Sequence, residues 1–514
     1  MRLNRKEFLE LVGCGAAASV AAACGDAPDA VAQPAPVPAA KPKKEAQRAD
    51  IKGTTDAVRR FIATSSLKDM PADVVTQGKR CLIDNFGVLL AGSTAEGSHI
   101  LRQYAQKVSG IKEATVLGRQ PLVVSAAHAA LANAGSGHAL DYDDTQLSTT
   151  PDRTFGLLTH PTTPTLSAAL AVAERTGASG AALLEAYVIG VEVACKMAEV
   201  IDPNHYERGF HSTGTLGAFG AAAAAGKLMK LNEAQLAHML AITSSLSAGI
   251  RVNFGSMSKP LNAARGAENG VFAAELASHG FTGGDFGLDG QWGFFQVLGG
   301  GADLDRLIGK LGNPWAIVNP GVSFKPYPCG SLSHPSMDAM LKVVVDHDLK
   351  PEQIKAVRLR AGNNILAPLR YTTAKTELEA KFSVPFLMSA IILKRRAGLR
   401  EFTDEFVASA PVQQMMPRVA AVHDEAIEKQ GFDKIRSVVE VDLLDGRKLV
   451  QPADERYRGG PANPFTREEL LAKFEDCAQP VLSSAQIQRA FTTIESVDTL
   501  GHVRQLVQAL SPLA

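Results

Sequence analysis

Long apolar runs, paired cysteines and an excess of charge of either sign are all missing from most of this 514-residue chain. Beyond the first two dozen residues no apolar stretch reaches the roughly 20 residues a membrane-spanning helix needs, which excludes such a span there. The six cysteines, Cys14, Cys24, Cys81, Cys195, Cys329 and Cys477, are widely separated and form no CxxC pair. Neither a disulfide framework nor a zinc or iron–sulfur site follows from that spacing. Lys plus Arg equals Asp plus Glu at 53 each, so no global field selects nucleic acid or an anionic membrane as partner. There is no GxGxxG after a strand and no Walker sequence, so no phosphate-cradling loop is expected. Aromatics are few, at 6%, while alanine and glycine are plentiful, a composition suited to closely packed helices. The 46% hydrophobic and 21% charged content is that of a globular protein, long enough for two domains and a large core.

The first 24 residues read as an address. Arg2, Arg5 and Lys6 precede an apolar, alanine-rich stretch from Phe8 to Ala23 that is too short for a stable span. Asn4-Arg5-Lys6-Glu7-Phe8-Leu9 resembles a twin-arginine export signal with Lys as the second basic residue, and Ala21-Ala22-Ala23-Cys24-Gly25 resembles a bacterial lipobox with Cys24 as the lipidated residue. Residues 25–50, rich in Pro, Ala and charge, cannot bury enough apolar surface to offset chain entropy and read as a disordered tether. The expected setting is the bacterial cell envelope or periplasm, with membrane contact only through an N-terminal lipid; without processing of the signal it would be the cytoplasm.

From Ile51 to about residue 319 the apolar period is helical. Pro71-Ala72-Asp73 opens one helix, Ala181–Ile201 forms another, and Asn232 with Gln235 makes a capping-box start for a third. Thr215–Leu231 is nearly all small residues and predicts a central helix with close neighbours. The pattern changes after Pro320. Ile354–Ala361 alternates like a half-buried strand, and Val438–Val450 reads as two strands joined at Asp445-Gly446. Helical patterning returns from Arg467. The expected fold is therefore mainly α: a large all-helical domain formed by both ends of the chain, residues 51–319 and 461–514, with a smaller α+β lid domain, residues 320–460, inserted. A cleft between two such bodies is a natural place for a site.

The most polar cluster in the helical half is Gly137-His138-Ala139-Leu140-Asp141-Tyr142-Asp143-Asp144-Thr145. Its spacing matches no metal motif, and Asp143 and Asp144 read most simply as capping or surface carboxylates. Three histidines, His160, His211 and His334, each precede a helical stretch. A helix N-terminus suits anions and disfavours protonated imidazole, keeping such a histidine neutral. Lys259 stands in the small-residue segment Phe254-Gly255-Ser256-Met257-Ser258-Lys259-Pro260, where it is either solvated or, in a cleft, able to hold a carboxylate or move a proton.

HALDYDDT, LLTHPT, GFHSTGTLGAFGAAAAA, FGSMSKP with GFTGG, KPYPCG with SLSHP, and LEAKFSVPF together resemble, in order, blocks of the MmgE/PrpD family, from about Val58 to Leu506. That family includes 2-methylcitrate dehydratases, cis-aconitate decarboxylases and an iminodisuccinate epimerase. The resemblance implies a helical domain plus a lid, a homodimer, and neither metal nor organic cofactor. It also implies a site comprising Asp141, Thr145, His160, His211 and Lys259 from the helical domain and His334 from the lid. Phe386 stands where the family block can carry Tyr, removing a possible proton donor, and Asn262 stands where decarboxylase-type members carry His.

The chemistry this implies is charge build-up on carbon beside a carboxylate of a small di- or tricarboxylic acid. Lys259, His160 and Thr145 are expected to bind the acid, while His211, His334 or Lys259 moves a proton and Asp141 orients a partner. A 2-methylcitrate dehydratase-like lyase leads, followed by an epimerase or decarboxylase. The rival of another class is a catalytically inactive, lipid-anchored carboxylate-binding protein.

Overall fold

A computed structural model of the chain describes residues 51–147, 159–431 and 434–513. The export segment, Cys24 and the tether lie outside the described residues.

The helical half runs α1 (Thr54–Thr64), α2 (Ala72–Gly92), α3 (Glu96–Val108), α4 (Ala126–Ala139), α5 (Thr162–Thr176), α6 (Gly180–Ile201), α7 (Gly217–Leu228), α8 (Glu233–Leu246) and α9 (Ser258–Ser278). As the run of small residues predicted, α7 is central. It packs against α5, α6, α8 and α9, and its residues are buried except Lys227. Glycine permits this crowding. A Cβ on Gly190 of α6 would lie 2.5 Å from the Gly220 carbonyl oxygen of α7, so the two backbones are in contact. Asn232 caps α8 with Gln235 reciprocating, the expected capping box.

This half is not purely helical. Strands β1 (Ala114–Val116) and β2 (Leu122–Val124) form a hairpin from a short β-branched stretch. Strand β3 (Thr145–Gln146) pairs antiparallel with β4 (Val322–Ser323), Thr145 opposite Ser323. The periodicity argument missed both because each is only two or three residues long.

Beyond β4, α10 (His334–Asp346) and α11 (Val384–Lys394) cover one face of a four-stranded sheet. Its order is β6 (Val419–His423), β5 (Ile354–Ala361), β7 (Ser437–Leu443), β8 (Lys448–Pro452), with β5–β6 parallel and the other pairs antiparallel. Strand β5 spans the predicted residues and alternates as predicted: Val357, Leu359 and Ala361 are buried, while Arg358 and Arg360 form cross-strand ion pairs with Glu440. Asp445 and Gly446 (φ 90°) make the β7–β8 turn. Helices α12 (Arg467–Ala478) and α13 (Ser484–Glu495) then return to the first half, where α12 packs on α2.

The fold is mainly α, and the described residues form two large apolar cores beside a small cluster of Val88, Ala91, Tyr142 and Cys477. One large core draws on Ile51–Phe324 and Phe465–Leu510, the other on Tyr327–Tyr457 plus Phe254. Among the described residues no helix is long and apolar enough to cross a membrane, and Cys81, Cys195, Cys329 and Cys477 are free and buried.

Candidate active site

Four local devices bring the site together. Helix α4 ends at Ala139, and Asp141 takes the left-handed conformation (φ 52°) that a helix C-terminus requires, one that Asp tolerates better than most residues. The β3–β4 pairing carries Lys325, two residues past β4, to the same place. A β-bridge between Gln146 and Thr159 fixes the backbone before His160, and Pro161 then turns the chain into α5. Lys259 lies in the first turn of α9, where Pro260 costs no helical hydrogen bond.

The result is a cavity of about 40 Å³ whose polar wall is Asp141, Thr145, His160, His211, Lys259 and Lys325. Its apolar lining includes Phe254, Leu332, Pro368, Leu369 and Phe382, most of them from the second apolar core. Asp141 is the hub. Its Oδ1 accepts from Lys259 Nζ at 2.6 Å and Lys325 Nζ at 2.7 Å, and Lys325 also donates to the main-chain oxygens of Asp141 and Cys329. Burial alone would raise the Asp141 carboxyl, but the two ammoniums outweigh it and hold Asp141 well below the usual carboxylate range. Burial, with Lys325 alongside, lowers Lys259 despite the Asp141 charge. The Lys259 ammonium also lies 5.3 Å from the Phe254 ring centre and 5.2 Å from that of Phe382.

The histidines form a cluster beside this hub, His138 edge-on to His160 and stacked on His211. His138 lies 4.6 Å from His160 and 5.6 Å from His211, centre to centre. Burial above all, reinforced by the lysines nearby, holds all three imidazoles well below their ordinary value and therefore neutral. His138 Nδ1 is hydrogen-bonded to Asp143 at 2.9 Å, and Asp143 also accepts from Thr163 at 2.7 Å. Asp143 and Asp144 are thus fully buried, correcting the expectation of surface carboxylates, while Asp144 meets Thr162 at the start of α5 as a capping carboxylate would: the helix break at Leu140–Asp141 turns the chain inward. Asp144 accepts from Thr162, and burial, followed by the charge of Asp84, raises it well above a normal carboxyl.

His138, Asp141, Asp143 and His160 bring potential metal-ligating atoms within 4.8 Å of one another. The chemistry of that set fits a cation poorly. Asp141 Oδ1 already faces two ammoniums, and His138 Nδ1 is engaged by Asp143.

Of the residues expected in the site, Asp141, Thr145, His160, His211 and Lys259 converge on the cavity. His334 stands apart from its lining. Its Nδ1 bonds to the Tyr457 hydroxyl at 2.5 Å and its Nε2 meets the Cys329 carbonyl at 3.2 Å, while Gly330, Ser331 and Leu332 present the loop's inner edge. Phe386 is likewise remote from the lining, packed edge-on against Phe402 and Phe406. Lys325 was missed as a site residue, because only its burial and its pairing with Asp141 single it out.

Residues 56–307 match the MmgE/PrpD N-terminal domain, and residues 327–499 match the MmgE/PrpD C-terminal domain. The chain belongs to the MmgE/PrpD family. It is 25% identical over 477 residues to a cis-aconitate decarboxylase of Mus musculus, covering 90% of this chain and 94% of the relative. It is also 25% identical over 464 residues to the Homo sapiens cis-aconitate decarboxylase, covering 88% and 93%, and 24% identical over 464 residues to the Aspergillus oryzae cis-aconitate decarboxylase-like protein oryM, covering 86% and 94%. The boundary between the two MmgE/PrpD matches falls at 307–327, and the two cores change over between Phe324 and Tyr327.

Proposed function

We propose that this chain is a lyase acting beside a carboxylate of a small di- or tricarboxylic acid, with decarboxylation the first reaction to test. The observation that carries this is the convergence of Lys259 and Lys325 on Asp141 in a cavity also lined by neutral His160 and His211. The decarboxylase relatives support the same choice.

Of the charged groups lining the cavity, two are cations and one is an anion, so a substrate carboxylate supplies the missing negative partner. Once held, the acid loses carbon dioxide: the carbon–carbon bond breaks and its electron pair stays on carbon, delocalised toward a neighbouring carboxylate. Ammonium groups beside that carboxylate stabilise the developing charge more than the ground state, which is what accelerates the step. Lys259, its proton loosened by burial, then gives that proton to the carbon and regains one from solvent. In the dehydratase variant of this chemistry, a base takes a proton from the carbon beside the carboxylate, and the hydroxyl on the next carbon leaves with its bonding pair, taking a proton from an acid to depart as water.

Incubation of the purified protein with a panel of small polycarboxylates in heavy water, followed by NMR, tests the reading. Release of carbon dioxide with deuterium at the former carboxyl position identifies a decarboxylase, and loss of water identifies a dehydratase. Exchange without either identifies an epimerase. Saturable binding with no exchange on any acid would leave only the binding-protein reading and overturn the proposal. Envelope localisation through Cys24 and a homodimeric state are proposed from the sequence. Membrane fractionation of wild type against Cys24→Ala and light scattering test each in turn.

A further inference from the structure

Asn262 follows Lys259 by three residues on α9, so both side chains address the same region. Its Nδ2 lies 3.1 Å from His211 Nδ1 and 3.5 Å from the Ile250 carbonyl oxygen. A main-chain carbonyl only accepts, which favours the NH₂ edge of the amide on this side, and that edge has no lone pair to offer His211. His211 Nδ1 is therefore the acceptor. A neutral imidazole has one ring proton, which must then sit on Nε2.

The surroundings hold this arrangement. A Cβ on Gly214 would lie 3.0 Å from Asn262 Cβ, and one on Gly249 3.2 Å from its Cγ, so the amide occupies a slot kept open by two glycines. The His211 backbone donates to Gly249 O at 3.0 Å, and its carbonyl accepts from Gly214 N at 2.9 Å. The ring is stacked on His138 and meets Phe254 edge-on at 5.0 Å, which opposes a flip. The titratable groups acting on it are His138, Lys259, Asp141 and Arg251. His211 lines the cavity, and its buried Nε2 has no hydrogen-bond partner among the described residues.

We infer that Asn262 is a positioning residue that locks His211 as its Nε2–H tautomer, making His211 a fixed hydrogen-bond donor to a ligand oxygen instead of a base. A neutral imidazole is a poor proton donor, because giving up its only N–H proton leaves an imidazolate. It is nevertheless an effective electrophile toward a developing oxyanion. In the resting enzyme His211 would polarise the substrate carboxylate or the enolate-like oxygen that forms from it, and proton transfer to carbon would fall to Lys259. The inference rests on the cavity being the substrate site, but the tautomer itself does not.

Long-range ¹H–¹⁵N NMR of ¹⁵N-histidine-labelled, ligand-free protein reads the tautomer directly, with the His211→Asn spectrum assigning the signals. Wild type should show His211 as Nε2–H between roughly pH 6 and 8, without titrating. Asn262→Asp, nearly isosteric but an acceptor when ionised, should bring a proton to Nδ1. Asn262→Leu, which offers neither role, should give mixed tautomers and serves if the Asp variant fails to fold. An Nδ1–H or imidazolium signal in wild type, or His211 signals unmoved in both variants, overturns the inference and leaves the lyase reading intact. The expected tautomer with no turnover of any acid would instead count against the lyase reading alone.

Discussion

Replacing Asp141 by Asn isolates the charge at the centre of the site. Asn has nearly the same shape and tolerates the left-handed φ of 52° as well as Asp does, so the backbone is not the perturbed quantity. What is lost is the carboxylate facing two ammoniums at 2.6 and 2.7 Å, with all three side chains at most 6% exposed. Removing one partner of a buried ion pair costs about 3–5 kcal/mol, because the remaining charge is stranded. Here two cations are stranded, but Lys325 keeps its bonds to the Asp141 and Cys329 carbonyls, and Lys259 can release a proton that burial has already loosened. The expected loss is therefore about 3 kcal/mol near neutrality. It should shrink as pH rises, since a lysine whose folded affinity for protons is depressed binds fewer protons folded than unfolded, and stability then increases with pH. Urea unfolding monitored by circular dichroism measures it, and Asp141→Asn/Lys259→Met should recover at least about 1 kcal/mol by removing one stranded charge. A single variant within about 0.5 kcal/mol of wild type at neutral pH, the range of an ordinary surface substitution, would refute the buried-hub description.

The same burial makes the fold acid-sensitive. His205, bonded to the Leu298 carbonyl and Thr215, is pushed down to about 4 by burial, so its contribution is present above the ordinary histidine value and is lost as pH falls from about 6.5 to about 4. The shift corresponds to about 3 kcal/mol, and His205→Gln should flatten the slope of unfolding free energy against pH over that window; an unchanged slope would contradict it. Gly220→Ala should lower the melting temperature. Its Cβ would lie 2.5 Å from Thr165 Oγ1 and 2.9 Å from the Gly190 carbonyl oxygen, an overpacking cost of about 1–3 kcal/mol that the better helix propensity of Ala does not offset. Phe386→Tyr should not create or enhance turnover and should cost about 1–3 kcal/mol, because the new hydroxyl enters the apolar packing of Phe402 and Phe406. A gain in activity would show that position 386 reaches the cavity.

Long elements were legible in the sequence because their signals are repeated many times. The small-residue run of α7, the capping box at Asn232 and the alternation of β5 each appear close to where pattern alone put them. Strands β3 and β4 were not legible, since two residues carry no period, yet their pairing is what delivers Lys325. Asp141, Thr145, His160, His211 and Lys259 were found through their segments, which brought together residues more than a hundred positions apart. Local sequence could not say that Asp143 and Asp144 turn inward, because that depends on a single left-handed residue at the end of α4. Nor could it separate His334 from its neighbours: a histidine before a helix looks the same whether its nitrogens face a cavity or, as here, Tyr457 and the Cys329 carbonyl.

These details alter the division of labour expected among the polar residues. Burial and pairing give several of these groups different roles. Asp141 is held ionised by two ammoniums and so fixes charge instead of exchanging protons. His211 has its acceptor nitrogen engaged by Asn262. His138 does not line the cavity and is engaged by Asp143. Lys259 carries a proton that burial has loosened, and its position beside Lys325 and between two aromatic rings favours giving that proton to the carbanion that loss of carbon dioxide would leave. The apolar lining from Phe254, Leu369 and Phe382 stands beside the paired lysines, so an acid held there would lie against both apolar and ionic surfaces. Exclusion of water from around the lysines by that lining would strengthen their pull on the substrate carboxylate, and Lys259 becomes the better donor only when the developing carbanion takes the proton.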